Sequence, residues 1–411
     1  SMRVYRCLRS VARTAGSAIN EPSTSKGVRR SFLESVLSSY PKALVELERK
    51  VIEADDKRKE DTSRVSPLIL DLPRLQQEVL SPRCRFVVVG SSVTGLAASL
   101  SDVDLVMFPL NTEERRDFIN VFYSNEGLKR EMMSALRAAV VHAYSKKDQT
   151  EPNVECCFIF PELRVPLLNC RLVDGSSIDI SVPDESFHAI RNTNLIRSYA
   201  QCDERLGRLL TWLRVWSGSL GVKNSKEGLL SSYHLLLLAI HFLQSDESLG
   251  PSTVLPVLSH THPHLVGPNL PVEDVLSHIQ SPPSKELKEW KSRNEMSTAE
   301  LIVRFIDYYS RVSFMDTSIY IDRGVTRKRT APLVRERASL FDPYSRLSVC
   351  RSVHALKAMH DAVAFTFRRM RNGLMLDSFP VFPESAQFTT ETQFTVWRAE
   401  AERRRKTNYG I

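Results

Sequence analysis

The chain has 411 residues, 42% of them hydrophobic and 25% charged, a composition that excludes a disordered or fibrous protein and allows two to three globular domains. No apolar run reaches the length of a membrane-crossing helix. The formal net charge of +8, with a pI of about 9.1, suits a polyanionic partner such as RNA, although much of the surplus lies at the two ends.

Residues 2 to 20 hold Arg3, Arg6, Arg9 and Arg13, several Ser and Ala, and no acid before Glu21. This is the composition of a mitochondrial transit peptide, with an ordinary basic tail as the competing reading. A polar spacer follows, and residues 1–29 are set apart on these grounds. Ser31 to Ser63 is helical in pattern, with Phe32, Val36, Leu37, Leu44, Leu47 and Val51 on one stripe. Residues 30–75 are therefore expected to form a helical flanking segment. Pro67 to Leu80 continues into the next unit.

Phe86 to Val89 is an apolar, β-branched run and reads as a buried strand. Gly90-Ser91-Ser92 breaks it, and Thr94 to Leu100 can form a short helix. Ser101 to Phe108 is a second strand, on which Asp102 and Asp104 project to the same side. Two such carboxylates repel unless a cation neutralises them, and a magnesium-type ion takes oxygen ligands of this kind. An acidic strand edge or turn is the bland alternative. Helical stretches open at Thr112 and Glu126, and strands are expected over 154–160 and 164–173. In Ser176 to Val182, Asp179 intrudes between Ile178 and Ile180. It is either an exposed position on a half-buried strand or a third carboxylate meeting the first two.

From Asn192 onward the pattern is helical. Gly228-Leu-Leu-Ser-Ser232-Tyr233 leads into an apolar helix ending near Gln244. His260, His262 and His264 alternate in a Pro-rich stretch without a partner acid or Cys pattern, and are expected to be loop. Phe305, Tyr308, Tyr309, Phe314 and Tyr320 fall within 301–324 and are expected to be core rather than an RNA platform. Arg327 to Arg337 is a basic, irregular insert, Phe341-Asp342-Pro343-Tyr344 follows, and Val349 to Arg369 is helical. Residues 377–411, with Arg403 to Lys406, read as a basic tail. The seven cysteines lack zinc spacing and are expected to be reduced, mostly buried thiols.

Ser91 lies eleven residues before Asp102. With its two flanking strands, this arrangement resembles the Gly-Ser…Asp-X-Asp signature of the DNA polymerase β-like nucleotidyltransferase superfamily. Ser101-Asp-Val-Asp-Leu105, the Leu-Ser-Ser-Tyr segment and Asp342-Pro-Tyr resemble its noncanonical poly(A) polymerase and terminal uridylyltransferase branch. The resemblance covers about residues 80 to 370. It implies an α+β fold of two domains with extra N-terminal helices: a mixed-sheet catalytic domain at 76–190 and a mainly helical poly(A)-polymerase-associated domain at 191–376. The implied site is a cleft between them.

Asp102, Asp104 and Asp179 would be catalytic and hold Mg2+, for which Mn2+ can substitute. Gly90 and Ser91 would meet the phosphates, and Asn192 and Thr193 the ribose. Arg214 and Ser232 would meet the triphosphate, Tyr233 would stack on the base, and Asp342 would contact the base edge. Gly218 stands where the family has a second triphosphate Lys, a role that Lys223 can take. Ser345, Leu347 and Ser348 replace the Glu, His and Asn associated with uridylyl specificity.

The implied reaction is template-independent addition to an RNA 3′ end, with UTP and the RNA as substrates, no membrane, and a protein complex supplying RNA specificity. The preference for UTP rests on whole-chain similarity to the kinetoplastid mitochondrial uridylyltransferases that act in RNA editing, including those of editosome-like complexes. ATP-dependent poly(A) addition is the alternative. An inactive RNA-binding scaffold and a small-molecule nucleotidyltransferase are more distant ones.

Overall fold

The computed structural model describes residues 31–63, 66–98, 102–145, 154–314, 316–328, 339–345, 347–350, 352–382 and 390–409. The leader-like segment and residues 329–337 of the basic insert lie outside these. The chain is an α+β protein with two compact units, Lys57–Gln201 with His262–Lys288, and Ser1–Asp56 with Cys202–Thr261 and Glu289–Ile411. The units are not single stretches of sequence. The boundary expected between 190 and 191 falls inside a helix, because an uninterrupted hydrogen-bonded helix spans it.

The helices, in chain order, begin with α1 (Phe32–Ser39), α2 (Pro41–Asp61), α3 (Leu72–Val79), α4 (Thr112–Ser124), α5 (Glu126–Tyr144) and α6 (His188–Cys202). They continue with α7 (Arg205–Ser219), α8 (Ser232–Gln244), α9 (Val272–Gln280), α10 (Thr298–Arg311), α11 (Val353–Arg371) and α12 (Thr390–Tyr409). The strands are β1 (Cys84–Val89), β2 (Val103–Pro109), β3 (Val154–Phe160), β4 (Leu167–Leu172), β5 (Ser177–Ser181), β6 (Thr317–Tyr320), β7 (Val325–Lys328) and β8 (Ser339–Phe341).

The first unit is built on a sheet of order β1-β2-β5-β4-β3, parallel only between β2 and β5. Strand alternation divides its apolar residues between two faces. Leu105, Met107, Leu168, Ile178 and Ile180 face one core with Phe122, Met133 and Val140 of α4 and α5. Val87, Val89, Val106 and Phe108 face the other, with Ile190 and with Val272, Val275 and Leu276 of α9. Each fully buried aliphatic or aromatic side chain contributes roughly 1.5–3 kcal/mol, so the sheet is held from both sides.

The second unit packs around Trp212 and Trp216 of α7, stacked at 5.6 Å. Trp216 Nε1 donates to Thr366 Oγ1 of α11 at 2.7 Å, and Phe242 of α8 meets Phe305 of α10 edge-on. A small sheet, β7-β6-β8, completes it. Of the aromatics expected in its core, Phe305 and Tyr309 are fully buried and Tyr308 and Phe314 nearly so, whereas Tyr320 is only half-buried.

Several local expectations change. The short helix after the Gly-Ser break is Ser91–Thr94 rather than 94–100, because Gly95 adopts the left-handed conformation (φ 75°) and closes it after one turn. The first helical stretch is two helices, divided where Tyr40, preceding Pro41, leaves helical geometry. The histidine-rich stretch is two one-turn helices, Leu258–Thr261 and Pro263–Val266, instead of loop, with His264 Nε2 3.0 Å from Glu286. The C-terminal segment is helical from Thr390, anchored by Phe394 (3% exposed) against Phe365 at 5.5 Å. Of the six described cysteines, all free, Cys170, Cys202 and Cys350 are buried and Cys84, Cys156 and Cys157 only partly so. Among the described residues no helix is long and apolar enough to cross a membrane.

Candidate active site

β2 carries Asp104 in the row of Val106 and Phe108, at the strand's N-terminal end. The parallel register sets Asp104 directly opposite Asp179 of β5. Asp102 precedes β2 by one residue and is exposed. The three expected acids thus come from adjacent strands on one side of the sheet. Burial, and then the neighbouring charges of Asp179 and Asp102, raise the Asp104 carboxyl from 3.8 to about 7. Asp179 Oδ1 accepts from Asn169 Nδ2 at 2.6 Å, and Asn169 is its register partner on β4.

The Gly90 turn approaches this cluster closely. Gly90 has φ 72°, and a Cβ there would collide with Asp104 Oδ2. The glycine is thus required by the carboxylate beside it as well as by the turn. Its N–H donates to Thr193 Oγ1 at 2.9 Å, and that hydroxyl donates to Ala189 O at 2.6 Å. Thr193, 4% exposed, therefore ties α6 to the turn. Asn192, the preceding residue, has a buried Oδ1 without a partner. Arg58 Nη1 donates to Gly95 O at 2.9 Å and Ala97 O at 3.1 Å, pinning the segment after Ser91–Thr94.

An all-oxygen, acidic donor set with one carboxyl destabilised as an anion fits a hard divalent cation. Among the described residues, no three His, Cys, Asp or Glu side chains are already drawn into metal-binding geometry. The acids are positioned by strand register.

In the second unit, Tyr233 donates its hydroxyl to Asp342 Oδ2 at 3.0 Å. Asp342, 3% exposed, accepts at Oδ1 from the N–H of Tyr344 (2.9 Å) and Ser345 (2.7 Å). The Asp-Pro-Tyr turn thus fixes the carboxylate, which orients the ring. Burial and the Asp342 charge push the Tyr233 hydroxyl well above its usual range. Ser231 caps α8 with His234, leaving Ser232 exposed at the first helical position. Arg214 lies on α7. Lys223 is lowered by burial and then by the charge of Arg214, so the two cations are neighbours.

Of the residues replacing the uridylyl-associated set, Leu347 is 59% exposed. Ser348 is buried, bonded to Leu340 N and to Cys350 O. Asn169, Arg58 and the Thr193–Gly90 bond were not anticipated. Asn169 had a signal, a polar residue between the apolar Leu168 and Cys170. The other two depend on contacts between residues 37 to 103 positions apart, which sequence spacing does not show.

A mixed sheet that sets Asp102, Asp104 and Asp179 beside a Gly-Ser turn has the layout of a nucleotidyltransferase palm. Residues 49–201 match the family model of the central palm domain of mitochondrial-like poly(A) RNA polymerase. Among curated relatives, poly(A) RNA polymerase GLD2 of Xenopus tropicalis is 25% identical over 67% of this chain and 48% of its own length. That of Homo sapiens is 23% identical over 85% and 69%. The chain therefore spans about half the length of the frog relative.

The GLD-2/RNP-8 complex aligns with TM-score 0.60 and 22% identity over 80% of this chain and 94% of that one. A cytoplasmic RNA terminal U-transferase aligns with TM-score 0.55 and 18% identity, over 85% and 98%. Apo mtPAP gives 0.56 and 17%, over 88% and 76%. The shared fold is the two-domain nucleotidyltransferase fold.

Proposed function

We propose that the protein is a template-independent RNA 3′-terminal uridylyltransferase, adding UMP from UTP. The observation that carries the reading is the register pair Asp104–Asp179 with the Gly90 turn against it. In this reading Asp102, Asp104 and Asp179 hold the metal positions, and Asn169 keeps Asp179 aimed. A pair of Mg2+ ions, replaceable by Mn2+, would supply activation of the RNA 3′-hydroxyl and neutralise the triphosphate. Ser91, Ser232, Arg214 and Lys223 bind phosphate oxygens. The unpartnered Asn192 Oδ1 accepts from a ribose hydroxyl, which favours ribonucleotides.

Tyr233 stacks on the base. Asp342 orients that ring and offers its remaining lone pair to the uracil N3–H, directly or through water, whereas adenine N1 would bring a second acceptor. Gly90 and Thr193 hold the turn in place rather than meeting the nucleotide directly.

The resemblance of the sequence to kinetoplastid mitochondrial uridylyltransferases, with its Arg-rich, acid-free residues 2–20, favours UTP, a mitochondrial site of action, and a role in RNA editing or processing within a complex that selects the RNA. The solved GLD-2/RNP-8 complex supports a protein partner by analogy. A second reading, ATP-dependent poly(A) addition, is favoured by the relatives described as poly(A) RNA polymerases. Offering each of the four ribonucleotides to one RNA oligomer separates the two. Preferential UTP incorporation is expected, and ATP incorporation equal to or above it would establish the second reading.

A further inference from the structure

The small sheet of the second unit carries an aromatic pair that the proposed chemistry does not use. β6 and β8 run parallel with Tyr320 opposite Phe341, their rings stacked with centres 5.0 Å apart and planes 9° from parallel. Alternation turns Ile319 and Leu340 into the core at 2% exposure each and leaves Tyr320 and Phe341 half-buried on the other face. β7 adds Arg327, register partner of Ser318 and so on the Tyr320 face. Its guanidinium lies 5.9 Å from the Tyr320 ring centre, and Arg323 from the β6–β7 turn lies at 5.6 Å. Both arginines are exposed, as is Lys328. Arg323 also meets the Asp322 carboxylate beside it, at 3.3 Å.

A half-buried aromatic stack with exposed guanidiniums over one of its rings matches the needs of single-stranded nucleic acid: a stack that a base can extend and N–H donors for the neighbouring phosphates. A duplex, whose bases are already stacked on one another, has no face to offer such rings. Asp342 follows Phe341 in the chain but is buried and bonded to Tyr233, so the pair is separate from the base-contact residues.

We propose that Tyr320 and Phe341, with Arg323 and Arg327, form a docking surface for single-stranded RNA. The inference rests on the reading of RNA as substrate. It also separates Tyr320 from the aromatics of 301–324, which are otherwise core.

The test measures the Kd of the full chain for a fluorescent single-stranded oligouridylate by anisotropy at several salt concentrations. Tyr320→Leu keeps apolar bulk against Phe341 and is expected to weaken RNA binding at least about fivefold. The double variant Arg323→Gln/Arg327→Gln is expected to lower the log–log salt slope by about 1.4, about 0.7 for each phosphate that an arginine no longer neutralises. The Kd for UTP should be unchanged in both, which also reports an intact fold. RNA affinity and salt slope equal to wild type in both variants would overturn this inference alone. Failure of the wild-type protein to bind RNA at all would overturn the RNA reading on which it rests.

Discussion

Ionising Asp104 in the metal-free protein puts a negative charge beside Asp179 and near Asp102 in a half-buried position. Its carboxyl titrates near 7 when folded, against 3.8 for the reference value. Below the lower value both states are protonated and there is no penalty. Between the two the folded state holds a proton that the unfolded chain has lost, so stability falls as pH rises; above about 7 the full penalty persists. Asp104→Asn should therefore stabilise the chelator-treated protein at pH 8, by on the order of 2 kcal/mol after allowance for solvent, and hardly at all at pH 4. Thermal unfolding at both pH values checks this, and added Mg2+ should narrow the difference by stabilising only the wild type.

Asn169→Ala removes the 2.6 Å bond to Asp179 without touching substrate. Transfer should slow about tenfold with KM for the nucleotide little changed, as expected when a positioning side chain is removed. Steady-state kinetics on the folded variant decide it. An altered KM at unchanged kcat would contradict the positioning role.

At the scale of elements, the Asp-Pro-Tyr turn and the start of α8 work together, because Asp342 joins two backbone N–H groups to the Tyr233 hydroxyl. Tyr233→Ala should raise the nucleotide KM more than it lowers kcat, since stacking of about 1–3 kcal/mol is shared by ground and transition states. An unchanged KM would make the ring part of the core. Asp342→Ala should erode the base preference and also reduce stability, because it leaves the turn's amides unpaired. Competition between UTP and ATP, together with a melting curve, reads both effects.

The strands and acids were legible because period-2 alternation and an Asp inside an apolar run are local signals. The limits of the Ser91–Thr94 helix and the helical C-terminus were less so. The first depends on the left-handed conformation of Gly95, and the second on Phe394 and Trp397 reaching Phe365. The family resemblance implies a ribose contact for Thr193. Only the folded chain reveals its bond to Gly90, across 103 positions.

For the whole molecule, the composition of the Arg-rich, acid-free residues 2–20 and the spacer after them leads to the proposal that they are a mitochondrial address separate from the chemistry. Deletion of residues 2–27 should leave transfer in vitro unchanged and abolish mitochondrial import. Fractionation or imaging of the truncated protein tests this, and organellar targeting without the segment would contradict it. The acids, in turn, must act as one set, because phosphoryl transfer depends on positioning and charge neutralisation. The decisive measurement is extension of a single-stranded RNA with labelled UTP and Mg2+ by wild type and by Asp179→Ala, each shown to be folded. The wild type should extend the RNA 3′ end, and the variant should be at least about a thousandfold slower, the loss expected when metal ligation at such a site fails. Extension by the variant within a few-fold of wild type, or no extension by wild type with any ribonucleotide, would contradict the assignment of this chain as a metal-dependent RNA nucleotidyltransferase.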